Sequence, residues 1–274
     1  MRTIKKLGNN ILSAFGYRIS RLSEQHPVCF DNFMNLVQAY EQRINELSTE
    51  KSQLPVNELR PKLLARLLGT PPSEAYFIIH AIAQCKALEG DICEFGVAQG
   101  ETSALMANEI VQSTTKKLHL FDSFEGLPKP TEKDQLKDDI YELGSMGAYA
   151  GEMACPEDMV RARMQAISFP SNRFIIHQGF IEQLIHNDKN LPKAVCFAYV
   201  DFDFYEPIKV TLEFLHTVMP TGAMIVVDDY NFFSTGAKTA VDEFVEEKNS
   251  SKALYKLFVP DERYGFFSVL TKLG

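Results

Sequence analysis

Long apolar runs, paired cysteines and an excess of positive charge are all missing from this chain, and each absence closes a class of function. No stretch approaches the roughly 20 consecutive apolar residues that a membrane-spanning helix needs. The cysteines, Cys29, Cys85, Cys93, Cys155 and Cys196, are odd in number and scattered, with no C-x-x-C spacing. They read as reduced core thiols, so the expected compartment is the cytoplasm. Acidic residues outnumber basic ones by 36 to 28, a formal charge of -8. A nucleic-acid partner needs a basic face, and none is expected here. Internal repeats and low-complexity segments are absent too. At 274 residues with 45% hydrophobic side chains, the chain is long enough and apolar enough to bury a real core.

Helical spacing dominates the first third of the chain. Ile4, Leu7, Ile11 and Phe15 share one face of a basic segment that lacks an uninterrupted apolar core and a cleavage site, so it does not read as a signal peptide. It reads as an amphipathic helix packing on the main domain or a neighbouring subunit, with peripheral membrane contact as the other reading. Further helices are expected over 31–52, 61–68 and, after Pro71-Pro72-Ser73-Glu74, up to Leu88. Residues 1–88 thus form one expected region, helical and suited to an oligomer contact or a substrate lid, and residues 89–274 a second. A homo-oligomer is the expectation for the assembly.

From Asp91 strand and helix alternate. Strands are expected over 92–95, 118–121, 173–177, 195–200 and 223–227, with a helix over 102–112 after the first. Such alternation predicts a doubly wound α/β fold with a mostly parallel sheet. A terminal antiparallel pair over 254–259 and 266–270 brings the strands to seven. Residues 129–158 are too many for a plain connection and suggest a lid or substrate loop.

Acid at the strand ends is the sequence's most informative feature. Asp201 and Asp203 close the run Val195-Cys196-Phe197-Ala198-Tyr199-Val200, and Asp228-Asp229 close Ala223-Met224-Ile225-Val226-Val227. In open α/β sheets ligands collect beyond the carboxyl ends of the strands, so two strands ending in acid suggest a site for a hard cation. The first strand meanwhile runs into Glu94-Phe95-Gly96-Val97-Ala98-Gln99-Gly100-Glu101-Thr102-Ser103. Its glycines permit a sharp turn, and Thr102 and Ser103 offer hydroxyls, but the spacing G-x-x-x-G does not encode a dinucleotide pyrophosphate cradle. Asp122 ends the second strand, where a carboxylate can accept from ribose hydroxyls or simply cap the turn Ser123-Phe124-Glu125-Gly126. His80, His119, His177 and His216 lie in or beside apolar segments and read as structural side chains.

Four blocks together carry a more specific signal. Glu94-Phe95-Gly96-Val97 with Gly100, Phe121-Asp122-Ser123-Phe124-Glu125-Gly126-Leu127-Pro128, Asp201-Phe202-Asp203-Phe204-Tyr205-Glu206-Pro207, and Val227-Asp228-Asp229-Tyr230 with Ala240-Val241-Asp242-Glu243-Phe244 resemble the macrocin O-methyltransferase (TylF-like) family. The blocks fall in that family's order over roughly residues 60–272. The resemblance implies a class I methyltransferase fold of Rossmann-like type, S-adenosylmethionine as cofactor in the 89–274 domain, and magnesium. It further implies methylation of a hydroxyl, commonly on a sugar of a natural product. The blocks match least before residue 60 and in the 129–158 loop, the regions that would shape the acceptor pocket.

On that resemblance the expected cofactor contacts are Glu94, Gly96, Val97, Gly100, Thr102, Ser103, Asp122, Ser123, Gln178, Gly179 and Asp201. Metal ligation is expected from Asp201, Asp228 and Asp229, and the role of general base from Asp203, whose alternatives are a further metal ligand or a cap for the helix near Pro207. A nucleotide-sugar glycosyltransferase using Asp201-Phe202-Asp203 as a D-x-D motif is the rival enzyme class, and it leaves the first turn and Asp228-Asp229 unexplained. A scaffold without turnover is the non-catalytic rival, against which the intact aspartate set argues.

Overall fold

Six apolar residues in succession, Val195–Val200, form a strand in which every side chain is buried. A strand covered on both faces needs sheet partners at each edge and helices above and below. A computed structural model describes residues 58–111 and 114–274 and supplies both. The expected amphipathic N-terminal segment and the helix over 31–52 lie outside the described residues.

Seven strands, β1 (Asp91–Phe95), β2 (Leu118–Asp122), β3 (Phe174–Gln178), β4 (Val195–Val200), β5 (Met224–Val227), β6 (Tyr255–Phe258) and β7 (Ser268–Lys272), form one sheet in the order β3-β2-β1-β4-β5-β7-β6. Pairing is parallel from β3 across to β5, and β7 runs antiparallel between β5 and β6. Among the described residues the helices are α1 (Arg60–Leu64), α2 (Pro72–Cys85), α3 (Glu101–Val111), α4 (Glu157–Ala166), α5 (Ile181–Asn187), α6 (Tyr205–Val218) and α7 (Gly236–Lys248). Apolar residues of α6 and α7, among them Ile208, Leu212, Leu215, Val241 and Phe244, pack with those of β4 and β5 in the main core. Among the described residues no helix is long and apolar enough to cross a membrane.

Several boundaries differ from the sequence expectation for identifiable reasons. β3 begins after Arg173, whose guanidinium donates instead to the carbonyls of Ile110, Val111 and Lys116 and so closes the end of α3. α2 ends at Cys85, three residues early, and Lys116 Nζ reaches the carbonyls of Leu88 and Gly90 beyond it. β7 starts at Ser268 because that residue pairs with Val227, the last residue of β5. Phe266 and Phe267 therefore have no ladder to join and pack on Phe232 and Phe77, each with ring centroids 5.1 Å apart.

Three of the histidines expected to be structural are hydrogen-bonded within the fold. His177 lies 2.5 Å from Asp188 and 2.9 Å from His119, and His216 3.1 Å from the Tyr255 hydroxyl.

The long segment after Lys129 has an internal structure that charge and glycine content concealed. A one-residue bridge joins Leu136 to Ser234, and a short 3-10 turn covers Met146–Tyr149. Tyr149, fully buried, packs with Phe204, Phe233 and Met146 in a second apolar cluster. Its hydroxyl donates to Asp139 and accepts from the Tyr141 amide. Asp134 then ties the segment to α6, accepting the Tyr205 amide at 2.7 Å. The segment is thereby fixed over the carboxyl ends of β4 and β5.

The order reverses between β1 and β4, the place where open sheets of this type leave a crevice. Gly96, one residue past β1, has a φ of +85°, and a Cβ there would stand 1.8 Å from the Asp201 carbonyl oxygen. Replacing it with alanine should therefore push β1 and β4 apart at the crevice and cost on the order of 1–3 kcal/mol, seen as a lower urea midpoint. Phe233→Ala should remove the centre of the second cluster at a cost of about 3–5 kcal/mol and open residues 129–156 to limited proteolysis.

Candidate active site

Val200 and Val227 pair in register, so the residues that follow them, Asp201 and Asp228, leave the sheet side by side. The ladder holds for one step more, the Asp201 amide donating to the Phe95 carbonyl at 2.7 Å and the Asp228 amide to that of Val200 at 2.9 Å. Immediately afterwards the backbone turns left-handed at Asp203 (φ 61°) and Asp229 (φ 55°). Aspartate tolerates that region better than most residues, and such strain gathers where a fold is bent to a functional purpose.

The turns bring carboxylates together. Oxygens of Asp201, Asp203 and Asp229 all lie within 4.8 Å of one another. Ionised carboxylates at that spacing repel by about 3.5 kcal/mol per pair at an effective dielectric of ~20. Three such pairs approach the whole stability of a typical domain, so the set must hold protons or a cation. Burial first, and then the neighbouring charges of Asp228 and Asp229, push the Asp201 carboxyl well above the usual carboxylate range. Asp229 is pushed well up by burial and the charges of Asp228 and Asp203, and Asp228 is raised by burial. Asp203, 8% exposed, is pushed up to about 8 by burial and by Asp201 and Asp228, against a hydrogen bond with Asp229 that lowers it. Hard oxygen donors with unbalanced negative charge are the donor chemistry that suits Mg²⁺.

This converging set shares Asp201 and Asp229 with the metal set expected from sequence, and it contains Asp203 in place of Asp228. The Asp228 carboxylate accepts the Tyr199 hydroxyl at 2.9 Å and the Asp229 amide at 2.8 Å. Each of its oxygens keeps a lone pair after these bonds, so it too can face an ion. Tyr199 is held neutral as a donor, since burial and the charge of Asp228 push its pKa well up. Thr70 lies 3.5 Å behind the same hydroxyl.

Next to the carboxylates lies a cleft of about 370 Å³, within the range of small-molecule sites. Of the expected cofactor contacts, Gly96, Asp122, Ser123, Gly179 and Asp201 line it. Glu94, Val97, Gly100, Thr102 and Ser103 are buried behind the turn, where Ser103 donates to Glu94 and Thr102 bonds Thr70 at 3.0 Å. Gln178 is exposed at the end of β3. Asp122 shapes the turn directly: one oxygen accepts the amides of Val97 and Ala98 at 2.7 and 2.9 Å, the other that of Phe124 at 2.7 Å. One acceptor position remains on the second oxygen, enough for a single ligand hydroxyl.

Three residues of the site escaped the sequence reading. Tyr141, half exposed on the cleft wall, comes from the folded 129–158 segment. Its phenol is raised first by burial and then by the charge of Asp203. Tyr199 is the one hydroxyl in an otherwise apolar strand, a signal that could have been read. Glu74, which resembled an ordinary first-turn helix acid, is fully buried, and burial with Asp228, Asp201 and Asp229 nearby raises its carboxyl well above the usual range.

Comparison with known proteins agrees with this geometry. No curated protein matches the chain in sequence. Among solved structures, the O-methyltransferase NovP superposes with a TM-score of 0.62 at 17% identity, covering 89% of this chain and 98% of its own. The calicheamicin methyltransferase CalS11, described as a TDP-rhamnose 3'-O-methyltransferase, has a TM-score of 0.56 at 21% identity and covers 86% of this chain and 92% of its own. TomG of Streptomyces achromogenes, solved with S-adenosylmethionine, has a TM-score of 0.50 at 12% identity, covering 86% and 96%. At these identities the likeness shows the fold, whose strand order is that of class I methyltransferases. The sequence profile of macrocin-O-methyltransferase (TylF) matches residues 41–259, most of the chain and every block of the site. The D-x-D reading as a glycosyltransferase gives way to that match: the chain belongs to the macrocin-O-methyltransferase (TylF) family of class I, S-adenosylmethionine-dependent O-methyltransferases.

Proposed function

We propose that this enzyme methylates a hydroxyl of a polyhydroxylated small molecule, most plainly a sugar moiety, in a Mg²⁺-dependent reaction. The observation that carries the reading is the convergence of Asp201, Asp203 and Asp229 beside a cleft of small-molecule size. CalS11, a fold relative, acts on a TDP-linked sugar, which favours a sugar acceptor here as well.

Methyl transfer forms an O–C bond as the C–S bond of the donor breaks, and the acceptor hydroxyl must shed its proton. When bound, S-adenosylmethionine supplies the electrophilic methyl group, and Mg²⁺ supplies positive charge that favours loss of that proton. Gly96, Asp122 and Gly179 would hold the donor along the ends of β1, β2 and β3. Asp201, Asp228 and Asp229 would hold the ion. Asp203, on a left-handed turn that aims it into the cleft, takes the proton as general base. Tyr199 steadies Asp228 by donating to it, and the wall from Tyr141 to Phe232 limits water and orients the acceptor.

Full turnover in excess EDTA would overturn the metal reading; the expected result is loss of activity restored by Mg²⁺. Asp203→Asn should keep cation binding and lose about 10²–10⁴-fold in kcat, whereas Asp228→Asn should lose cation binding first. The reverse pattern, read by calorimetry and steady-state rates, exchanges the two roles. The raised carboxyls also set a sign for pH. A group whose folded pKa is raised stabilises the fold below its unfolded pKa and loses that contribution as pH rises through the folded value, so the ion-free protein should weaken toward alkaline pH. Cation binding must displace those protons, so Mg²⁺ should raise the melting temperature more at pH 8.5 than at pH 6. A shift independent of pH would contradict the assignment of these carboxyls to the ion.

A further inference from the structure

Among the described residues Glu74 is a fully buried carboxylate beside the site that the mechanism leaves without a task. It lies in the first turn of α2 with 0% exposure, and its carboxylate accepts no hydrogen bond from any N–H or hydroxyl; its polar neighbour is the carboxylate of Asp228, with which it can share a hydrogen bond only when one of the two carries a proton. The charges that bear on it most strongly are acidic: Asp228 first, then Asp201 and Asp229. A carboxylate removed from water with no donor is strongly disfavoured, and the positive end of a helix offsets only a minor part of that. The helix terminus therefore does not account for the group.

Placement says what would. Ser73, the preceding residue, lines a second cavity of about 330 Å³ together with Asp228, Asp229 and Phe232. Ser73 is pinned by its hydroxyl, which donates to the Tyr264 carbonyl, so the start of α2 is fixed against this cavity. Asp228 lines the same cavity, its two oxygens steadied by the Tyr199 hydroxyl and the Asp229 amide. Glu74 thus stands against Asp228 as a spare hard-oxygen donor, one residue along α2 from the Ser73 that lines this cavity.

We propose that Glu74 is a further oxygen donor to the divalent-cation site, reaching the ion from the α2 side directly or through one water. The inference rests on the Mg²⁺ reading and extends the ion's shell to an element outside the strand-end motifs. The competing role is structural: a permanently protonated Glu74 donating to Asp228. Glutamine imitates that protonated form in size and donor capacity, so Glu74→Gln separates the two roles.

The experiment is Mn²⁺ binding, by electron paramagnetic resonance and calorimetry, to the full chain without donor or acceptor. Wild-type protein should bind, Glu74→Gln should bind about 10- to 100-fold more weakly, and Glu74→Asp, which keeps the charge with a shorter reach, should fall between. S-adenosylhomocysteine affinity should be equal in all three, showing an intact fold. Equal Mn²⁺ affinity in wild type and Glu74→Gln would overturn the inference and leave the metal reading standing. Failure of the wild type to bind Mn²⁺ would overturn both. Should Glu74→Gln fail to accumulate, Glu74→Asp decides alone: weakened binding supports the role, and unchanged binding removes it.

Discussion

Repulsion among carboxylates that the sheet carries to one point is the constraint on which the rest of the site depends. A parallel sheet buried on both faces gives its strand ends no choice of direction, and Val200 paired with Val227 delivers Asp201 and Asp228 together. Left-handed turns at Asp203 and Asp229 then fold the chain back over the same point instead of letting the acids diverge. A protein that only needed strand caps would relax these turns. Keeping them costs backbone strain and several kcal/mol of electrostatic repulsion, which bound protons or a cation would offset.

The surrounding fold serves that arrangement. Gly96 lets the turn after β1 pass close to the Asp201 carbonyl, so that turn and the acidic cluster share one wall of the cleft. Asp122 uses three of its four acceptor positions to hold the turn after β1 and the start of the next loop. On the opposite side, Asp134 and the cluster around Tyr149 and Phe233 hold the 129–158 segment against the start of α6. The turn after β1, the acid cluster and the folded 129–158 segment are therefore coupled through a few fixed contacts, as a preorganised site requires.

Much of this could be read from the sequence because a continuous apolar run ending in acid says both where a buried strand is and where its chemistry sits. Val195–Val200 with Asp201, and Met224–Val227 with Asp228, are of that kind, and the crevice position of Gly96, Asp122 and Gly179 followed from strand order. Other features depend on tertiary placement that local pattern does not encode. Arg173 looked like the start of a strand because nothing nearby in sequence shows the α3 carbonyls it closes. Glu74 matched the ordinary preference for acid in a first helical turn, and only its complete burial distinguishes it. The charged 129–158 segment concealed Tyr149, whose apolar partners Phe204 and Phe233 lie far along the chain. Which aspartates converge was likewise set by the turns after the strands, which bring Asp203 together with Asp201 and Asp229.

The most direct test of the central claim is anomalous diffraction from crystals grown with Mn²⁺ and S-adenosylhomocysteine. A single strong peak at coordination distance from the carboxylates of Asp201 and Asp229, beside a cleft filled by the donor product, is the predicted result. Donor product in the cleft with no peak among the four aspartates would contradict the account.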